Sequence, residues 1–303
     1  MSKDAIEQKI ISDLENTRQL AIVKHGDANE WDVSITLVFG RENDEMYPSN
    51  HLRNVALLYV KSVQQQQMKG RESAVLLVDA DFRPSELLRK VLSSESAANA
   101  IIEKRQIIVC PAFEGVHKET LPETTSELKE DIDKESAKPF HSHFPEGHGP
   151  TNFEKYWEET LALDENDVME DIWRKIYPIT YESQFEPYIV MATSDIPLYD
   201  ERFAGYYKNK ISHIFSIAEV IAGPDSWWVI PGVFLFHVAH GYSEDRINDL
   251  KNMVQARLRE NKGFDLLNKN LYNEFKDDLL GRRTIAVSKV TAELVSELLS
   301  NEK

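Results

Sequence analysis

AVLLVDADF, residues 74–82, is the stretch on which the fold turns. A continuous apolar run ending in acids reads as a buried strand that delivers polar groups at its C-terminal end. Side chains i and i+2 of a strand share a face, so Asp79 and Asp81 are presented together, with Ala80 between them. Two carboxylates at the C-terminal edge of a parallel sheet suit a hard divalent cation that bridges a diphosphate. Taken alone the pair is a weak signal, because a chain with 51 acids produces D-x-D by chance. Two solvated acids in a strand-to-helix turn is the competing reading. Position favours chemistry: the strand runs straight into the pair, and a turn containing Pro84 follows.

Outward from this strand, helices and strands alternate. HLRNVALLYVKSV (51–63) reads as a helix opened by the turn-like YPSN (47–50), and SELLRKVL (85–92) as a short helix. IIVCPAFEG (107–115) is a second buried strand, and PYIVMA (187–192) and WWVIPGVFLFH (227–237) are further apolar runs. The spacing also predicts a helix over 4–24, a strand over 33–39 and a charged helix from about 244 to 261. Alternation of this kind predicts an α/β fold with a mixed, mostly parallel sheet flanked by helices. The acidic run ELKEDIDKE (127–135) reads as a solvated helix face. His141, His143 and His148 read as surface residues rather than a zinc site, since no cysteine lies near them. No repeat appears and no linker-like stretch divides the chain, so residues 1–303 read as one domain.

Composition removes several function classes. With 303 residues and a net charge of −16, the chain does not suit nucleic-acid backbones or anionic membranes as main partners. Its single cysteine, Cys110, excludes an internal disulfide framework and any multi-cysteine zinc site. The most apolar run, 227–239, contains Pro231 and falls short of the roughly 20 residues a membrane helix needs, so no membrane insertion is expected. The N-terminus lacks the apolar core of a signal peptide and no N-x-[ST] sequon occurs. As written, the chain reads as soluble and cytoplasmic, or as a catalytic domain whose upstream anchor is missing.

Seven segments, in order, resemble glycosyltransferase family 49, the metal-dependent glucuronyltransferases related to the second catalytic domain of the LARGE enzymes and to beta-1,4-glucuronyltransferase. They are YPSNHLRNVALLYV (47–60), LLVDADFRP (76–84), IIVCPAFEG (107–115), EGHGPTNFEKYW (146–157), QFEPYIVM (184–191), YDERFAGYYKNKISHI (199–214) and VIPGVFLFHVAH (229–240). The resemblance implies a GT-A fold, a Rossmann-like sheet with the D-x-D at its nucleotide edge. It implies inverting transfer of a sugar, glucuronate in characterised relatives, from a UDP-sugar to a hydroxyl of an oligosaccharide or glycoprotein acceptor. By position, Asp79 and Asp81 would hold Mn²⁺, with His237 or His240 completing its shell. Imidazole with carboxylates suits Mn²⁺ better than Mg²⁺.

The same resemblance makes Arg53 and Asn54 donor-site residues and puts His148 and Asn152 on the acceptor or donor-sugar side of the cleft. Read alone, Gly147 to Asn152 is a loop followed by an N-capped helix. The carboxylate that deprotonates the acceptor is open between Glu186 and Asp200, and Lys210 is a candidate partner for the donor carboxylate or diphosphate. Relatives carry a longer region ahead of Tyr47, so residues 1–46 are expected to be shortened or divergent, and relatives work in the Golgi lumen behind an anchor. Two other readings stand beside this one. A non-catalytic descendant would bind a glycan or a protein partner. A zinc hydrolase is disfavoured because no HExxH spacing is present.

Overall fold

The structure, a computed structural model, describes residues 49–67, 72–115, 121–163, 169–203, 208–223, 225–238 and 264–281. By contacts the chain divides into Met1–Phe39 and Gly40–Lys303, and every described residue belongs to the second unit. The helices expected at 4–24 and 244–261, the strand at 33–39 and His240 lie outside the described residues.

The elements, in order, begin with helix α1 (Ser49–Gln67), strands β1 (Ala74–Leu76) and β2 (Phe82–Pro84), and helices α2 (Glu86–Leu92) and α3 (Glu95–Ala98). Strands β3 (Ile107–Cys110) and β4 (Ala112–Gly115), helix α4 (Thr125–Asp133), strand β5 (Ala137–Pro139) and helices α5 (Pro145–His148), α6 (Phe153–Leu161) and α7 (Met169–Arg174) follow. Then come β6 (Tyr177–Pro178), β7 (Tyr188–Ala192), α8 (Asn209–Ser216), β8 (Trp227–Val229), β9 (Leu235–His237) and α9 (Phe264–Leu280). Among the described residues no helix is long and apolar enough to cross a membrane.

The strands form two mixed sheets, one in the order β1-β7-β3-β8-β6 and one in the order β2-β9-β4-β5. In the first, β3 and β8 pair in parallel, while β7 sits antiparallel between β1 and β3 and β6 closes the far edge antiparallel. The strands that α/β alternation demands, β1, β3 and β8, do run the same way. The sheet is mixed, as expected, although β7 separates β1 from β3 and leaves β3–β8 and β4–β9 as the parallel neighbours among the described strands. This is the mixed α/β architecture of a GT-A-like fold.

Two prolines build the second sheet from the strands of the first. The run 107–115 breaks at Pro111 into β3 and β4, and the run 227–237 breaks around Pro231 into β8 and β9. Proline has no N–H to give a ladder. The chains stay side by side across the break: Ile230 N–H donates to the Val109 carbonyl at 3.4 Å and Leu235 N–H to the Pro111 carbonyl at 2.9 Å. Two parallel neighbours thus leave one sheet together and enter the next together. The apolar run is continuous because both faces are covered. Ile107, Val109, Ile189 and Met191 pack into one cluster and Ile108, Cys110, Tyr188 and Val190 into another, strict alternation along β3 and β7.

Helix α1 has a polar buried face, which an apolar-periodicity argument does not foresee. Asn50 donates to the Asp200 carbonyl at 2.8 Å, Asn54 exchanges bonds with the Tyr199 backbone at 2.7 and 2.9 Å, and Lys61 donates to the Thr193 carbonyl at 2.8 Å. These positions share one side of a helix. They satisfy the backbone of the irregular segment 193–200, which has no strand neighbour there. Helix α4 has the expected solvated acids, begun by a capping box between Thr124 and Glu127, although Leu128 and Asp131 turn inward.

Candidate functional site

The strand AVLLVDADF is shorter than its sequence suggests. β1 ends at Leu76, Val78 is exposed, and the chain turns through Ala80, with Phe82 N–H bonded to the Asp79 carbonyl at 3.1 Å, before β2 begins in the second sheet. The D-x-D therefore occupies the turn between the two sheets rather than a strand end. There its two acids acquire different surroundings.

Asp79 is met from three elements. Arg53 of α1 donates from Nη2 to Oδ1 at 3.1 Å, Lys210 of α8 lies 2.6 Å from Oδ2, and the Tyr188 hydroxyl of β7 donates to Oδ2 at 3.0 Å. Lys210 also donates to the Tyr188 hydroxyl at 3.0 Å and lies over its ring. Burial pushes the Asp79 carboxyl up, but Lys210 and Arg53 outweigh it and hold the group at about 2. The same neighbourhood raises the Tyr188 phenol, through burial and then the adjacent Asp79, so Tyr188 acts as a donor and not as a phenolate. Tyr188 was not among the residues singled out from sequence. Its signal was its place opening an apolar strand directly after Glu186-Pro187.

Asp81 faces β9. Its Oδ2 lies 3.2 Å from His237 Nε2, and the imidazole is set against Phe82 and Phe140 with ring centroids 5.2 Å away in each case. A carboxylate and an imidazole this close can share one divalent ion. Asp79, engaged by two cations, is the less available of the two acids. Ala80 is exposed in the turn.

The other candidates separate cleanly. Asn54 is fully buried, with its amide committed to Tyr199 and Glu201, so it positions the 199–201 segment and cannot touch a donor. Asp200, a candidate base, is likewise engaged in a structural pairing. Its side chain is wholly buried and gripped by Arg202 through Nε at 3.0 Å and Nη2 at 2.7 Å, while Arg202 Nη1 reaches Asp278 of α9 at 2.9 Å. Asn152 adopts φ 56 and caps α6, accepting from Lys155 N–H at 3.1 Å. That supports the cap reading of this residue over a ligand contact.

Glu186, the other candidate base, is partly buried. Its N–H bonds to the Gly147 carbonyl at 2.9 Å, and His141 Nδ1 lies 3.8 Å from its Oε1. Burial pushes Glu186 up, yet His141, Lys210 and His148 outweigh it and keep the carboxyl below its usual value. His148 is buried, contrary to the surface reading of the three histidines, and burial lowers its pKa to about 4. His143 is exposed as expected.

A small cavity of about 60 Å³ is bounded by Arg53, Asp79, Tyr188, Tyr199, Lys210 and His213, with Leu77, Pro187, Ile189 and Ile214 completing its wall. A cavity of about 800 Å³ lies elsewhere, between α4, α6 and Gly232, and touches none of the candidate residues, so volume alone does not mark the site.

A family model described as "Glycosyl-transferase for dystroglycan", glycosyltransferase family 49, matches residues 9–277. The chain is similar to the xylosyl- and glucuronyltransferase LARGE1 of Mus musculus, 30% identical over 256 residues that make up 82% of this chain and 28% of that protein. It is similar to the xylosyl- and glucuronyltransferase LARGE2s of Gallus gallus, 30% identical over 82% of this chain and 29% of the relative. To LARGE2 of Rattus norvegicus it is 30% identical over 87% of this chain and 33% of the relative. The chain thus spans about a third or less of the length of these curated relatives.

Proposed function

The chain belongs to glycosyltransferase family 49, and from that premise we propose that it is a metal-dependent inverting glycosyltransferase that moves glucuronate from UDP-glucuronate to a saccharide hydroxyl. The observation that carries the reading is the convergence of Arg53 and Lys210, from two different helices, on Asp79 beside the Asp81–His237 pair. A cation pair next to an acid and an imidazole is the donor set a nucleoside diphosphate and a divalent ion require together. An anionic sugar adds one more charge for the same lysine and arginine to meet.

Asp81 and His237 would hold the ion, Mn²⁺ by the chemistry of their donors, and Asp79 would orient Arg53 and Lys210 toward the diphosphate. The ion supplies neutralisation of the charge that builds on the departing UDP. In the transfer, the acceptor oxygen forms a bond to the sugar's anomeric carbon as the bond to the β-phosphate oxygen breaks and its electron pair leaves with UDP. The acceptor proton passes to Glu186, which its neighbours keep ionised. Tyr188, bridging Asp79 and Lys210, fixes the distance between the turn and α8.

UDP release, measured with UDP-glucuronate, UDP-xylose and UDP-glucose over a panel of saccharide acceptors, tests this. UDP-glucuronate is expected to be the preferred donor. Glu186→Gln should lower kcat by about 100-fold or more with UDP binding intact. Preference for a neutral donor would contradict the glucuronate assignment, and a Glu186→Gln enzyme of normal rate would remove it as base.

A further inference from the structure

Beside the D-x-D turn lies a second group of potential metal ligands that the transfer does not need as ligands. The turn from Phe140 to His148 is joined to the segment ahead of β7 by the bond from Glu186 N–H to the Gly147 carbonyl. Across that junction one atom each of His141, His148 and Glu186 lie within 4.8 Å of one another. His148 is 4% exposed, and its buried Nε2 has no hydrogen-bond partner among the described residues. A buried polar nitrogen left so carries a desolvation penalty, which calls for an occupant.

The backbone that carries the three groups is closely set. His141 takes φ 50, in the left-handed region that few residues other than glycine adopt, and stacks its ring on Phe140 at 3.9 Å. At position 147 an added Cβ would fall 2.6 Å from the Phe144 ring, so only glycine lets the turn close against Glu186. Two imidazoles and a carboxylate are a zinc donor set, whereas the acid-rich D-x-D side suits a harder ion. His148 offers a ring nitrogen and Glu186 a carboxylate oxygen. Lys208 and Lys210 oppose a cation here, but the Glu186 charge offsets one of them and Lys210 is drawn to Asp79.

We propose that His141, His148 and Glu186 form a zinc-class metal site with an open fourth position, distinct from the Asp81–His237 centre. Zinc bonds of about 2.0–2.2 Å require the three donors to draw closer than they stand, a movement that His141, the most exposed of them, can supply. Occupancy would take Glu186 away from the acceptor proton, so the two uses of this carboxylate exclude each other. The inference stands apart from the transfer reading, because its readout is metal binding alone.

Titration with Co²⁺ as a spectroscopic substitute for zinc, on the full chain carrying Asp81→Asn to disable the other centre, tests it. One equivalent should give the visible bands of a tetrahedral site, displaced by Zn²⁺. His141→Ala and Glu186→Gln, each with its fold checked by circular dichroism, should each weaken binding at least tenfold. His143→Ala, which removes the exposed imidazole next door, should leave the bands in place. Absence of the bands, their persistence in either ligand variant, or their loss in His143→Ala would overturn the proposal.

Discussion

Asp79 and Asp200 are both acids flanked by an arginine, and the structure uses them for opposite ends. Asp200 is paired with Arg202, two residues along the chain, in a fork with its carboxylate sealed from water. Asp79 is paired with Arg53 and Lys210, which arrive from helices far away in sequence, and about a third of its side chain still meets solvent. A local partner that leaves no access makes a strut. Distant partners gathered at an open turn make a place where an anion can exchange with the carboxylate. What separates the two is the origin and accessibility of the cations, not their presence.

The largest effect is expected at the strut. Asp200→Ala removes the buried carboxylate that Arg202 grips, leaves that guanidinium only Asp278, and should lower stability by about 2–3 kcal/mol in chemical denaturation. An unchanged unfolding curve together with lost transfer would instead return Asp200 to the role of base. At the open turn the balance should reverse. Lys210→Met is expected to weaken UDP binding about 10- to 100-fold, the worth of one or two charge-assisted contacts, while the melting temperature changes little.

Asp79→Asn is predicted to cost less stability than Asp200→Ala, about 1–2 kcal/mol once solvent screening is allowed for. Because the folded Asp79 pKa, about 2, lies below its unfolded value, that contribution is present above pH 4 and lost only as pH falls toward 2. A wild type and variant whose stability difference vanishes already at pH 6 would contradict the pairing.

The smallest effect lies behind the turn. His213 stacks on Tyr199 at 3.6 Å, has both ring nitrogens buried without partners among the described residues, and has its pKa lowered by burial to about 3. His148 is lowered to about 4. Both bind a proton more readily unfolded, so stability should fall as pH drops from 6.5 toward 4. His213→Phe should keep the stack, change stability at pH 7 by no more than about 1 kcal/mol, and flatten that acid slope. An unaltered slope would mean that His213 does not contribute to it.

The same contrast explains what the sequence made legible. Helix α1 and the buried strands followed from apolar runs and turn residues, which are local, whereas the placing of the D-x-D in a turn rather than at a strand end did not. The passage of paired strands between sheets did not, because a run buried on both faces looks the same whether it stays in one sheet or changes at Pro111 and Pro231. Asp200 reads as a candidate base in the sequence, and Arg202, two residues on, is the local sign of the pairing that the structure shows. Tyr188 and the burial of His148 depend on which segments meet across β7, and no spacing along the chain reports that. Lys210 came from family resemblance alone, since nothing in an isolated Asn-Lys-Ile announces a partner for Asp79.

The most direct test of the account is calorimetric titration of UDP and UDP-glucuronate into the protein with and without Mn²⁺, repeated on Asp81→Asn. The account predicts binding that requires Mn²⁺ in the wild type and is lost in the variant. Binding of equal strength with and without the metal, or no nucleotide binding under either condition, would contradict it.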